Sequence, residues 1–458
     1  MSPALPIILR DGGRLRDPRK LPSLAAWYDA SDLASMTYDG SNRVSLVADK
    51  SGNSNVNCYV HGNGSGNNAE ASIAGAASSF TSLELIIDAA SPNWTTGATD
   101  QDLGCLYGAG GSADSVEVAI SATANAALFD YEDGAGVRYQ KVVAGVFTGF
   151  ANFSRKLLKF TLNAAANPHV LTVYESVDGG SSWTQLATDT QAATIGIRYS
   201  ATTKTGIIAG RTASSTRNSA TGTRVYSGRF NAAIGGSAIW TFDPSSTAKL
   251  AASVVSGGTT WTINTSGATG ARICGERDLY QGTVANQPVL TIAAAGNYLT
   301  FDGSNDYLKA APFSLSQPET VYFAGSQVTW TINDDIFDGN ATDSGALFQS
   351  NTTPKFSAYM GGSASENSGW ALATRAVISS VFFAAPARTS TRVNLGSTVG
   401  GGGGGANNMN GFTVGSNGGG SAAYGNITAS EIAIYSDAHP SRAQDRFARY
   451  AMSKWRIA

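Results

Sequence analysis

Charged side chains make up only 14% of this 458-residue chain, and 31 Lys plus Arg stand against 33 Asp plus Glu for a net charge of -2. No overall field draws such a protein to nucleic acid or to an anionic membrane, so any partner must be recognised locally. Cysteine is scarce. Cys58, Cys105 and Cys274 are odd in number and widely spaced, which argues against a disulfide framework or a metal knuckle and for buried free thiols. His61, His169 and His439 are isolated, with no Cys or carboxylate at ligand spacing, so neither a zinc site nor a Ser-His-Asp relay can be built from them. Each reads as a loop residue. Long apolar runs are missing too: Leu5 to Leu9 is broken by Arg10 and lacks a basic start or a cleavage site, so it is neither a signal peptide nor a membrane span. The expectation is a chain made and folded in a cytoplasm.

What the chain does have is Gly (53 residues), with abundant Ala, Ser, Thr and Asn, a mixture suited to short strands joined by tight turns. Strand signals recur at Leu83 to Ile87, Leu157 to Leu162, Val170 to Tyr174 and Ala238 to Phe242, bounded by Gly, Asn, Asp and Ser. Val177-Asp-Gly-Gly-Ser181 predicts a hairpin between residues 170–175 and 182–187, and Asp302-Gly303 predicts another between alternating apolar residues. The glycine run from Gly400 to Gly405 reads as a mobile loop tip rather than a strand. One helix is expected, at the C-terminus, where Ala443, Phe447, Tyr450, Ala451 and Trp455 recur at helical spacing behind Pro440 and Ser441.

Leu24 to Leu33 with Ala48-Asp-Lys-Ser-Gly-Asn53 reads as half a sandwich, and Tyr298 to Leu308 onward as the other half. Neither half can bury its apolar face alone. A complete strand pattern lies between them, which predicts a discontinuous host over residues 21–65 and 276–458 and an inserted domain over 66–275. Residues 1–20, with Pro3, Pro6 and Pro18 and the basic Arg10, Arg14, Arg16, Arg19 and Lys20, are expected to form an extended arm anchoring the chain in an assembly.

Leu24 to Asn53, Tyr298 to Leu308, Glu431-Ile-Ala-Ile-Tyr-Ser-Asp-Ala438 and Arg449-Tyr-Ala-Met-Ser-Lys-Trp455 resemble concanavalin A-like or laminin-G-like jelly rolls, in the family's order. The middle block, from Val173 to Leu186 through Trp240-Thr-Phe-Asp-Pro244 to Trp261-Thr-Ile-Asn264, is similar to members of that superfamily found in bacteriophage virion proteins. The resemblance implies an all-β chain: two jelly-roll sandwiches, one inserted into the other, with a short C-terminal helix.

Ser176-Val-Asp-Gly-Gly-Ser-Ser-Trp183 fits the Asp-box of sialidases and propellers, but a propeller repeats the box, and a single copy reads as a structural turn. No Glu-x-Asp-x-x-Glu run of the sandwich glucanases occurs, and Glu175 and Asp178 make a poor acid and nucleophile pair. Asp302, Asn305 and Asp306 can offer oxygens to calcium, with Asp39 and Asn42 repeating the same Asp-Gly-Ser-Asn run, although a hairpin turn explains both. No other cofactor is expected. Sugar binding needs an exposed ring beside polar groups, and Trp94, Trp330 and Trp370 lie near polar loops, whereas Trp27, Trp183, Trp240, Trp261 and Trp455 fall on strand or helix patterns.

These features lead to the expectation of a non-enzymatic virion protein that decorates a phage particle or binds a host-surface glycan. Its partners would be other virion proteins and further copies of itself, without nucleic-acid binding or membrane insertion. The competing expectation is a carbohydrate-active enzyme, or its binding module, acting on a bacterial surface polysaccharide.

Overall fold

The computed structural model describes residues 17–52, 57–60, 68–73, 79–95, 100–108, 116–198, 203–207, 222–264, 271–362 and 365–457. The chain falls into two compact units, residues 1–54 with 277–458, and residues 55–276. Each is a β-sandwich of two antiparallel sheets in the jelly-roll manner, and the one α-helix among the described residues is Ser441–Trp455. No described helix is long and apolar enough to cross a membrane.

In the first unit the two ends of the polypeptide share sheets. Leu24–Asp29 pairs with Asn426–Tyr435, placing Trp27 opposite Ala433, and Val44–Val47 pairs with Leu279–Tyr280. One face of these strands joins a core in which Ala25, Ala26, Tyr28, Val44 and Val47 pack with Phe301, Phe323, Phe337, Ile378 and Ile434. Trp27 points the other way, as strand alternation requires. It enters a second cluster with Tyr322, Tyr435, Phe447 and Trp455, where the helix covers the sheet by its aromatic stripe. Phe447 stacks on Tyr322 with ring centroids 4.0 Å apart.

The second unit has its own core, in which Leu85, Phe160, Val173, Phe230, Trp240 and Trp261 are buried. Asn57–Val60 and Arg272–Gly275 pair with each other in one of its sheets, so the strand Asn57–Val60 belongs here and not to the flanking sandwich, where the sequence boundary at residue 65 had put it. The reason is local: Asn57–Val60 has register partners in Arg272–Gly275 and in Arg224–Asn231, all within residues 55–276. His169–Ser176 and Thr184–Gln191 form the expected hairpin. Its Asp-box is a turn, with Asp178 accepting from Ser182 N at 2.9 Å and Ser182 Oγ at 2.6 Å while Ser176 Oγ accepts from Gly180 N at 2.8 Å.

Two sequence expectations are overturned by packing. Val399–Gly403 is a strand paired with Arg388–Val393, so most of the glycine run lies in a sheet instead of a loop tip. Glycine is needed just beyond it for close backbone approach, since a Cβ on Gly405 would lie 1.6 Å from the Met360 carbonyl oxygen. His169 lies on the strand His169–Ser176 instead of in a loop, buried between Tyr131 Oη at 3.1 Å and the Thr194 carbonyl at 2.9 Å, whereas His439 is in the loop before the helix, as expected, and is buried 2.9 Å from Tyr322 Oη. His61 lies outside the described residues.

Candidate functional site

A recess of about 400 Å³ opens on the first unit, lined by Asn333, Asp335, Thr342, Asp343, Phe348, Tyr359, Asn417 and Ala423. Three adjacent strands, Asp335–Asp338, Ala346–Gln349 and Phe356–Tyr359, supply its floor. Asp335 is the register partner of Phe348, and the register shifts before Phe337 meets Leu347. That bulge sends both Ile336 and Phe337 into the core, which leaves Asp335 on the outer face beside the Phe348 ring. Phe348 pairs in turn with Ser357, and Tyr359, two positions further on, shares that face.

Asp338, at the far end of the same strand, builds the walls. Its carboxylate accepts from Gly339 N at 2.7 Å, Asp343 N at 2.9 Å, Ser344 N at 3.0 Å and Gly418 N at 2.9 Å. Four amide donors on one buried carboxylate tie the loop bearing Thr342 and Asp343 to the loop bearing Asn417. The half-buried Lys309 ammonium reinforces the junction by donating to the carbonyls of Asn340, at 2.8 Å, and of Gly418. The loops approach so closely that a Cβ on Gly418 would lie 2.2 Å from the Ala341 carbonyl oxygen.

The electrostatics of the recess are unusual for an acid-lined site. Asp335 is only 7% exposed, and its carboxyl accepts no hydrogen bond among the described residues. Burial, together with Asp338, Asp343 and Asp334, pushes it up to about 9. Asp338 is pushed up by burial to about 6, with its four amide donors opposing the shift. At neutral pH the recess therefore presents a protonated carboxyl at Asp335, able both to donate and to accept.

The residues singled out from sequence lie elsewhere. Trp94 is fully buried, with Nε1 donating to the Ser154 carbonyl at 2.9 Å and its ring against Phe147 and Phe150. Trp370 is equally buried, with Nε1 bonded to the Thr374 carbonyl at 2.9 Å and its ring against Phe323 and Phe356. Neither offers a face to a sugar. A nearby polar loop had suggested exposure, but each indole finds its polar partner inside the fold. Trp330 is half-buried, reaches the Lys355 carbonyl at 3.4 Å and does not line the recess.

Asp302, Asn305 and Asp306 form a turn. Asp302 Oδ1 accepts from Ser304 N at 2.8 Å and Asn305 N at 3.1 Å, and Asp306 Oδ2 accepts from Asp302 N at 3.1 Å. Burial and Asp302 push Asp306 up to about 7. One oxygen of each carboxylate is engaged with the turn's own backbone and Asn305 Oδ1 is buried without a hydrogen-bond partner among the described residues, so the three side chains by themselves fall short of the six to eight oxygens of a calcium shell. Among the described residues no three His, Cys, Asp or Glu side chains gather to hold a metal ion. Asp39 repeats the turn, accepting from Ser41 N at 2.8 Å and Arg43 N at 2.9 Å.

In the N-terminal arm, Arg10, Arg14 and Arg16 lie outside the described residues. Arg19 is engaged locally, donating to Asp17 at 2.6 Å and lying over the Trp27 ring, and Lys20 is exposed. The chain is already docked by residue 18, whose carbonyl accepts from Tyr435 Oη at 3.0 Å.

Sequence reasoning missed Asp335 and Asp338. A signal was present in Asn333-Asp-Asp-Ile-Phe-Asp-Gly339, an acidic run around two apolar residues that belongs neither to an ordinary strand nor to an ordinary turn.

Among known proteins, no family model and no curated protein matches the chain. Solved structures are similar at low identity. The LG1-3 region of the laminin alpha2 chain is 10% identical over 83% of this chain and 61% of its own, with a TM-score of 0.37. Mouse laminin alpha1 domains LG4-5 are 9% identical over 84% of this chain and 91% of theirs, with a TM-score of 0.31. Trypanosoma rangeli sialidase is 10% identical over 72% of this chain and 68% of its own, with a TM-score of 0.28. This chain spans about three fifths of the laminin alpha2 region.

Proposed function

We propose that the protein binds carbohydrate without catalysis, taking one sugar unit of a surface polysaccharide into the Asp335 recess. The observation that carries this reading is a buried, neutral, unpartnered carboxyl beside two aromatic rings in a recess of about 400 Å³. A protonated carboxyl hydrogen-bonds hydroxyls in both directions without demanding a counter-ion. The half-buried rings of Phe348 and Tyr359 supply apolar surface for the C–H face of a pyranose, and Asn333, Thr342, Asp343 and Asn417 supply polar groups to fix its hydroxyls. The test is an array of bacterial surface glycans followed by calorimetry on the hits. Asp335→Ala should weaken binding by about tenfold or more, a change of about 1.4 kcal/mol. Unchanged affinity in that variant overturns the assignment.

Asp335 also favours a second reading. An acid kept protonated at neutral pH near a second carboxylate, here Asp343, is the arrangement of a glycosidase general acid. Release of reducing ends that Asp335→Asn abolishes would select the enzyme over the adhesin.

We further place the protein on a bacteriophage particle, with its basic N-terminal residues as the attachment to other virion proteins. Support comes from the sequence resemblance and from Arg10, Arg14 and Arg16. Removing residues 1–16 should reduce incorporation into particles and leave glycan binding intact; full incorporation of the truncated chain would rule out the anchor.

A further inference from the structure

Cys58 and Cys274, far apart in the chain, are direct register partners on Asn57–Val60 and Arg272–Gly275. Both are buried, and Cys58 Sγ lies 3.4 Å from the Cys274 carbonyl oxygen. Directly opposed residues of an antiparallel pair send their side chains to the same face, with Cα atoms about 4.5–5.5 Å apart. That separation falls inside the range a disulfide bridges without backbone movement, about 4.4–6.8 Å. Cys105 sits on the other sheet of the unit, where its register partners are Gly206 and Glu117.

The position of the pair gives a link between them a consequence. Asn57–Val60 is the first described strand of the second unit and Arg272–Gly275 the last, so the two sulfurs stand where the chain enters and leaves it. We propose that Cys58 and Cys274 are an oxidation site, forming a cross-strand disulfide that closes the second unit at its neck.

The oxidant is a small disulfide of the glutathione type. One cysteine thiolate attacks a sulfur of the oxidant and expels one small thiolate. The second cysteine thiolate then attacks the protein sulfur of the mixed disulfide and expels the other. Two protein thiols lose two protons and two electrons, and the oxidant becomes two thiols. The buried Arg224 guanidinium, on the strand next to Asn57–Val60, interacts electrostatically with both cysteines and so places a cation beside the attacking sulfur. Access is through Arg272–Gly275, which ends its sheet's order among the described residues and is held there by pairing with Asn57–Val60.

The experiment uses the full chain, incubated folded with oxidised glutathione and, in parallel, refolded from denaturant in the same buffer. Free thiols are counted after denaturation, and non-reduced peptides are mapped by mass spectrometry. We expect one free thiol, at Cys105, and a peptide joining residues 58 and 274. Oxidation should raise the thermal midpoint of the second unit by several degrees in the parent and in Cys105→Ser, and leave it unchanged in Cys58→Ala and Cys274→Ala. Three free thiols after refolding, or a link that includes Cys105, would overturn the proposal. Because mapping is done on the unsubstituted chain, a variant that fails to fold does not blur the answer.

Discussion

The Trp27 indole donates to Glu431 Oε1 at 2.8 Å, a hydrogen bond between residues 404 positions apart. The same carboxylate accepts from Tyr450 Oη at 2.8 Å, Lys454 Nζ at 3.2 Å and Trp455 Nε1 at 2.6 Å. A strand from the start of the chain, a strand near its end and the terminal helix thus converge on one buried acid. Burial raises the Glu431 carboxyl and the Lys454 ammonium opposes the shift. Removing the acid leaves two buried indole N–H groups without an acceptor, while the half-buried Lys454 ammonium keeps Asp29 as its carboxylate partner, at 2.9 Å. Glu431→Ala should therefore cost about 3–5 kcal/mol, and Trp27→Phe, which removes one donor, about 1–3 kcal/mol. Chemical denaturation followed through the first unit's transition measures both; a change under 0.5 kcal/mol in each, on the order of a neutral surface substitution, would show that the convergence contributes nothing.

Deleting residues 55–276 and joining the flanks should leave a folded sandwich. Val47 and Leu279 are register partners, and Asp49 N donates to Asp278 Oδ1 at 2.9 Å, so the chain leaves and re-enters this unit at adjacent points. A short Gly-Ser joint spans such a gap with little closure entropy. A cooperative thermal transition in the deleted protein is the expected outcome, and an aggregate obtained with several joint lengths would contradict it.

The fold was readable in this sequence because its signals are local and periodic: the apolar helical stripe of Phe447, Ala451 and Trp455 and the Asp178 turn need no knowledge of what they pack against. The recess was not readable, because its acid faces outward only through a bulge, and a bulge depends on the partner strand Ala346–Gln349. Trp94 and Trp370 misled for a related reason. A polar neighbourhood in sequence says nothing about whether an indole N–H finds a carbonyl within the core, as both do. The glycine run escaped because pairing with Arg388–Val393 overrides a poor strand propensity.

The tryptophans separate stability from recognition. Trp370→Ala removes a fully buried ring packed on Phe323 and Phe356 and should cost about 3–5 kcal/mol. Any loss of glycan binding in that variant should follow the loss of folded protein in a thermal melt. Trp330→Ala, at a half-buried ring outside the recess, should leave affinity within about twofold. A selective loss of binding in Trp330→Ala with an unchanged melt would move the site to that ring.

Gly405→Val tests the seating of the glycine strand. Its Cβ would start 1.6 Å from the Met360 carbonyl oxygen, so the segment after Val399–Gly403 must lift away. Overpacking of this kind costs about 1–3 kcal/mol. Hydrogen exchange should show lost protection in Arg388–Val393, the only strand pairing with Val399–Gly403 in this sheet's described order. Unchanged protection would mean that the backbones part without consequence.

The acids of the recess set a pH dependence whose sign is fixed by their environment. Burial, then Asp338, Asp343 and Asp334, hold Asp335 up at about 9, while an unfolded Asp titrates near 3.9. The folded state thus binds the proton more tightly, and its contribution to stability is complete below about pH 4 and is lost as pH rises through about 9. Glu319 and Asp306, pushed up to about 8 and about 7 by burial, act in the same direction, so the informative quantity is a difference between proteins. The thermal midpoint of the first unit should fall between about pH 5 and pH 9, and fall less steeply in Asp335→Asn, which stays neutral throughout. Glycan affinity should decline over the upper part of that range, because the ionised carboxylate loses its donor and adds charge beside Asp338 and Asp343. Identical slopes in the two proteins would place the Asp335 proton elsewhere and remove the donor on which recognition in the recess depends.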